Sequence, residues 1–294
     1  MYAPVVLFTY NRLQQLKEVI KSLQLNDLAF KTDLLIYSDG PKNNHIDISK
    51  VDAVRKFIND VSGFKSIQII EKEVNTGLYN MITRGVTEVI EKYQKVIILE
   101  DDIVTSPKFL TYMNEALLRF EPENDIMSIS GYMYPISLDQ KYQHDLILSH
   151  RTSSWGWATW KDRWDSVDFD EVSIKKYYKN YIKTFSRAGP DLPSMIKARF
   201  NGKNKSWAIF FALSHHIQNK YAIMPSKSFC QNIGHDSSGE HCQESSKWFV
   251  KMSNKNIKKW DKPSLDESIV YKIQELHKIS FREKALAKVK RLFS

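Results

Sequence analysis

Val96-Ile97-Ile98-Leu99 leads without a break into Glu100-Asp101-Asp102, so an apolar run ends in three consecutive carboxylates. With too few polar positions to alternate, the run fits a strand covered on both faces, as in a parallel sheet. Three like charges at a strand end repel one another unless something positive lies among them. A hard divalent cation is one such partner, and Mg²⁺ or Mn²⁺ typically also takes substrate phosphates as ligands. The plainer alternative is a solvated acidic exit. The carboxyl edge of such a strand is where open α/β sheets bind ligands.

The residues before this run alternate strand and helix signals. Val5-Val6-Leu7-Phe8 reads as a short strand, with Asn11 placed to cap a helix from about Leu13. Leu16, Val19, Ile20 and Leu23 give that helix one apolar face. Leu34-Leu35-Ile36-Tyr37 is the next strand, closed by the turn-forming Ser38-Asp39-Gly40-Pro41. A helix over 48–61, a strand over 67–70, and a helix over 78–93 after Asn75-Thr76-Gly77 complete the series. This rhythm predicts an α/β fold with a mostly parallel central sheet and helices on both faces.

Beyond Asp102 the texture changes. Ser106-Pro107 predicts a helix start with Pro in its first turn, burying Phe109, Tyr112, Met113, Ala116, Leu117 and Phe120. Strands are expected near 126–130 and 146–149, followed by the aromatic block Trp155-Gly156-Trp157-Ala158-Thr159-Trp160. A polar helical segment spans 165–205, and another helix covers 206–219. The chain divides into a first α/β half over 1–130, a second half of the same domain over 131–250, and a helical tail over 251–294.

Net charge narrows the partners. The 294 residues carry 43 Lys and Arg against 34 Asp and Glu, a formal charge of +9, which suits nucleotide phosphates or an anionic membrane surface. Nucleic acid is disfavoured, because no basic stripe with regular aromatics is present. No stretch approaches the ~20 apolar residues that span a bilayer, and the first residues lack the layout of a secretion signal. Cys230 and Cys242 are therefore expected to be reduced in a cytoplasmic setting, a disulfide being the alternative.

Four polar strand ends, Thr9 to Arg12, Ser38 to Gly40, Asn75 to Gly77 and Glu100 to Asp102, meet at one edge of such a sheet. Arg12 can face a diphosphate with its planar fork, while Asp39 and Asn75 can hydrogen-bond a base or ribose. With these pieces, with Pro107-Lys108-Phe109 after the acidic triplet, and with Ser154-Trp155-Gly156-Trp157, the chain resembles GT-A fold nucleotide-sugar glycosyltransferases. The likeness covers roughly 3–242, patchily after 165. It is nearest to bacterial family 2-like enzymes and the N-acetylglucosaminyltransferase I group.

The resemblance implies a donor of the uridine diphosphate-sugar type and a glycan or lipid-linked glycan acceptor, with inversion at the anomeric carbon. It places Arg12 near the phosphates and Asp39 and Asn75 at the base. Asp102 falls on the metal, Mn²⁺ or Mg²⁺, with Glu100 and Asp101 at ribose or metal-bound water. Trp155 and Trp157 fall beside the donor sugar and acceptor. A nucleotidyltransferase on a similar sheet needs a glycine-rich phosphate loop, and Thr9-Tyr10-Asn11-Arg12 contains no glycine.

One position departs from the family pattern. Where the N-acetylglucosaminyltransferase group carries a catalytic aspartate after a tryptophan, this chain has Trp207-Ala208, and alanine accepts no proton. The base that an inverting transfer needs is therefore sought in the late polar loop, at Asp236 with Glu240, His235 and His241 as neighbours. A non-catalytic nucleotide-binding relative is the alternative. Residues 281–294 place Phe281, Ala285, Val289, Leu292 and Phe293 on one helical face among five Lys and Arg, a pattern suited to an anionic membrane surface.

Overall fold

The computed structural model describes residues 2–234 and 246–278. His235, Asp236, Glu240, His241, Cys242 and the segment 281–294 lie outside the described residues. The alternating half of the chain folds as β1 (Val5–Thr9), α1 (Leu13–Gln24), β2 (Asp33–Ser38), α2 (His45–Asn59), β3 (Ser66–Glu71), α3 (Gly77–Tyr93) and β4 (Lys95–Glu100). It continues with β5 (Ile103–Thr105), α4 (Phe109–Arg119), β6 (Ile126–Ser130), β7 (Leu146–Ser149) and β8 (Trp157–Trp160). The helices α5 (Lys161–Asp165), α6 (Glu171–Tyr177), α7 (Leu192–Phe200) and α8 (Ala208–Ile217) follow. After them come β9 (Tyr221–Pro225), β10 (Cys230–Asn232) and α9 (Glu267–Leu276).

Among the described residues eight strands form one sheet in the order β3-β2-β1-β4-β8-β6-β9-β7. The β1–β2, β2–β3 and β1–β4 pairs are parallel, whereas β8 runs antiparallel between β4 and β6. The chain is a mixed α/β protein, parallel in its first half, with a large central sheet flanked by helices. Alternate residues explain why its strands read as continuous apolar runs. Val5, Leu7, Ile97 and Leu99 pack on one face with α1 and α4, and Val6, Phe8, Val96 and Ile98 pack on the other with α3. Both faces are buried, so no polar period survives.

Two local expectations are corrected. Asn11 does not cap α1; its amide donates to Asp47 Oδ1 at 2.6 Å, and Arg12 stands at the cap position without a side-chain bond to the helix. Pro107 is not in the helix that follows: α4 starts at Phe109, where Asn26 Oδ1 accepts from the Leu110 amide at 2.9 Å. The aromatic block enters the sheet, where Trp157 to Trp160 form β8. No helix among the described residues is long and apolar enough to cross a membrane.

The polar segment 165–205 builds a small core of its own from Ile174, Phe185, Leu192 and Ile196. α8 joins it to the sheet: Phe210 and Leu213 enter this core, and Phe211 enters the sheet core beside Trp157. Such a helix, apolar all round, is buried on all sides. Its His215 is fully buried, with Nδ1 donating to the Phe211 carbonyl and Nε2 accepting from Ser128 Oγ, both at 2.8 Å. Burial pushes this imidazole down to about 4.

An unfolded histidine takes its proton near pH 6.5, so between 6.5 and 4 the unfolded chain binds a proton that the folded chain refuses. Stability should therefore fall as pH drops through that window, by about 3 kcal/mol from His215. Urea denaturation from pH 7.5 to 4.5 measures it. His215→Gln should remove its own share of the slope, with His150 and His277, also pushed down to about 4, keeping theirs, and an equal slope in the variant would contradict the assignment.

Candidate active site

The chain leaves β1 for β2 and β3 on one side and returns to β4 on the other, so the strand order switches between β1 and β4. Ligands of open α/β sheets bind in the crevice beyond the carboxyl ends of strands at such a switch. Phe8 stands in register with Glu100, which brings Thr9 to Arg12 beside Glu100 to Asp102. Asp101 Oδ2 accepts from Thr9 Oγ1 at 3.2 Å and from the Tyr10 amide at 3.1 Å. Its Oδ1 is bound by Arg12 Nη2, and Arg12 Nη1 reaches Asp102 Oδ2 at 3.0 Å. One guanidinium thus spans two buried carboxylates.

Two negative charges beside one positive charge leave the cluster anionic. Burial foremost, then repulsion by Asp102, pushes the Glu100 carboxyl up to about 8 against the pull of Arg12. Burial likewise raises Asp101, with Arg12 opposing it. Burial works against the Arg12 charge, but Asp101 and Asp102 more than offset it and keep the guanidinium protonated.

The expected base contacts turn inward. Asp39 is buried and both its oxygens are taken. Oδ1 accepts from the amides of Gly40 at 2.9 Å and Thr76 at 2.8 Å and from Thr76 Oγ1 at 3.1 Å. Oδ2 accepts from Asn75 Nδ2 at 3.1 Å and from the Gly77 amide at 2.9 Å. A carboxylate offers about four lone-pair sites, and Asp39 spends its oxygens on the loop. Asp39 anchors the 75–77 loop at the start of α3. Asn75 spends its amide nitrogen on Asp39 and, at 3.0 Å, on the Gly40 carbonyl. Gly40 is required because a Cβ there would stand 2.3 Å from the backbone carbon of Val74.

Sequence reasoning missed Asp47 and Gly234. Asp47, which reads as an ordinary first-turn acid of α2, accepts from Tyr10 Oη, from Asn11 Nδ2 at 2.6 Å and from the Lys42 amide at 2.6 Å. It ties the β1 exit to the loop before α2. β10 pairs antiparallel with β5, and the Ile233 amide donates to the Asp102 carbonyl at 2.8 Å. This delivers Gly234 so close that a Cβ would lie 2.4 Å from Asp102 Oδ2. A lone glycine in a polar loop carries no signal of that approach.

The two tryptophans separate. Trp155 is half-buried, edge-on to Tyr132 at 4.5 Å between ring centroids, and its carbonyl accepts from Cys230 Sγ at 3.2 Å. Trp157 is fully buried, stacked on Trp207 at 5.1 Å and packed on Phe211 at 4.8 Å. The expectation of a ligand contact is corrected for Trp157, whose indole has no open surface. A cavity of about 430 Å³ beside α9, lined by Thr184, Arg187, Tyr271 and Gln274, shares no residue with the strand-end cluster.

The donor set suits a divalent cation of one kind. No group of three His, Cys, Asp or Glu side chains converges on a metal position among the described residues. What the site offers is the Asp102 carboxylate with Glu100 near it, and one or two carboxylates are the protein share where Mg²⁺ or Mn²⁺ is held chiefly by water and substrate phosphates.

No protein-family model matches this chain, and a search of curated proteins finds no match. Among solved structures it is similar to S. aureus TarS 1–349, with 12% identity, a TM-score of 0.45, and coverage of 78% of this chain and 60% of that one. The same protein in complex with UDP-GlcNAc aligns at 12% identity and TM-score 0.45, over 78% and 58% of the two chains. Its complex with UDP gives 13% identity and TM-score 0.43, over 78% and 60%. The chain thus spans less than two thirds of the length of these structures.

Proposed function

We propose that this protein is a metal-dependent glycosyltransferase that moves a sugar from a nucleotide-diphosphate donor, a UDP-sugar, to a glycan or lipid-linked glycan, with inversion. The observation that carries the reading is the meeting of Arg12, Asp101 and Asp102 beyond the switch point between β1 and β4. Arg12 would bind diphosphate oxygens with its fork, while the loop anchored by Asp39 would present Asn75 at the base. Asp102, with Glu100 beside it, would hold Mn²⁺ or Mg²⁺, whose chemistry when bound is neutralisation of phosphate charge. Trp155 would border the sugar.

Asp236, with Glu240 near it in sequence, would take the proton of the acceptor hydroxyl. That assignment rests on the polar loop after Gly234 and on Ala208, whose methyl group at the start of α8 accepts no proton. Residues 281–294 would bring the enzyme to an anionic membrane surface on the cytoplasmic side, where a lipid-linked acceptor lies.

The test is thermal denaturation with a panel of nucleoside diphosphates, with and without Mn²⁺, together with donor hydrolysis. A nucleotide at 100 times its Kd should stabilise the fold by ~2.7 kcal/mol. UDP should do so with Mn²⁺, and Asp102→Asn should lose the metal-dependent part. Asp236→Asn should bind UDP like the wild type and hydrolyse no donor. Stabilisation by no nucleotide would refute the donor site, and binding without turnover on any acceptor would support the non-catalytic relative to which Ala208 points.

A further inference from the structure

The two carboxylates that share Arg12 are held differently. Asp101 keeps Thr9 Oγ1 and the Tyr10 amide on its Oδ2, so the end of β1 holds it without help from Arg12. Asp102 has, among the described residues, one side-chain partner, Arg12 Nη1 at 3.0 Å. Gly234 backs onto the same pair, its added Cβ falling 2.4 Å from Asp102 Oδ2 and 3.1 Å from Arg12 Nη1. The guanidinium is always protonated, and only 19% of its side chain is exposed.

A fixed monocation therefore sits on the carboxylate proposed to take a dication. In a partly desolvated crevice a dication on Asp102 would be repelled by the guanidinium paired with it. Arg12 cannot lose its charge, so Asp102 is freed of it only when the guanidinium turns to another anion. On the donor-site reading, the incoming diphosphate is that anion, and a planar fork suits it better than a single carboxylate oxygen. Resting on that reading, we infer that Arg12 is a resident counter-cation, which neutralises Asp102 in the free protein and transfers to the diphosphate on donor binding. Asp101 stays anchored to β1 throughout. Divalent cation and nucleotide then load as a pair, each favouring the other by the same factor, and the empty acidic cluster takes up little metal.

Phosphate oxygens ligating a cation would couple the two ligands by themselves, so coupling is not the discriminating measurement. The affinity for Mn²⁺ alone is. Loss of the free aquo-ion signal in electron paramagnetic resonance, on the full chain without nucleotide, reports it directly. Wild type should bind Mn²⁺ weakly and tighten with saturating UDP. Arg12→Met should bind Mn²⁺ alone about tenfold more tightly than wild type, and Arg12→Lys, which keeps the charge, should stay near wild type. Arg12→Gln serves where Arg12→Met does not fold. Adding Asp102→Asn should erase the gain.

Unchanged or weaker binding of Mn²⁺ alone in both neutral variants would overturn the inference. If wild type still bound Mn²⁺ with UDP, the donor-site reading would stand without it. Absence of Asp102-dependent Mn²⁺ binding in every variant, with and without UDP, would overturn both.

Discussion

Replacing Asp39 with alanine should cost about 4 kcal/mol of stability and, on the donor-site reading, weaken nucleotide binding with it. The carboxylate accepts five hydrogen bonds, from the Gly40, Thr76 and Gly77 amides, Thr76 Oγ1 and Asn75 Nδ2. Each bond to a charged acceptor is worth about 1.5–3 kcal/mol net. The sum is not realised, because Asn75 to Gly77 are partly exposed and their donors recover water when the loop relaxes. Asp39→Asn should cost about half as much, since it keeps one acceptor oxygen and turns an amide donor toward donors. Equilibrium denaturation in urea separates the two roles open to this residue. An anchor loses stability and affinity together, whereas a residue that only touched the base would lose affinity alone. A loss below ~1 kcal/mol in Asp39→Ala would reject the anchor.

Asp39 also shows where sequence reasoning stops. A carboxylate in Ser-Asp-Gly-Pro at a strand end has the same composition whether it faces a ligand or its own loop. Only the position of Thr76 and Gly77, almost forty residues on, decides between the two. Periodicity suffices for the elements themselves, because a buried strand must be apolar and a half-buried helix must show a stripe. Hence Leu16, Val19, Ile20 and Leu23 are the buried face of α1. The start of α4 was not legible, because Asn26, held by Ser22 and Thr105, meets the Leu110 amide from a distant loop. The place of Trp157 was not legible either. Aromatic residues fit a binding surface and a core equally well, and the insertion of β8 between β4 and β6 makes this one core. The acidic triplet was legible as a charged strand end, but its ion pairs with Arg12 depend on strand order.

The other large effect belongs to Arg151 and Asp191, which bind in parallel, Nη1 to Oδ1 at 2.7 Å and Nη2 to Oδ2 at 2.9 Å, with side chains 12% and 16% exposed. Arg151 lies on the segment between β7 and β8, and Asp191 precedes α7 in the 165–205 segment, so the pair ties that segment to the sheet. Asp191→Ala should cost about 3–5 kcal/mol, because it strands a buried guanidinium without its partner. Replacing both, as Arg151→Met with Asp191→Leu, should cost less than either single change, since the buried charge leaves with its partner. A single loss under ~1 kcal/mol would show that the pair is solvated rather than structural. The pH dependence separates it from His215. Burial acts to raise Asp191, yet Arg151 holds it below the usual carboxylate range. Its contribution is therefore complete above an unfolded pKa of about 3.9 and is lost only as pH falls below that. At pH 5 the His215 penalty is already largely expressed while the ion pair is intact. Asp191→Ala should thus lower stability by the same amount at pH 7 and pH 5, and His215→Gln should not.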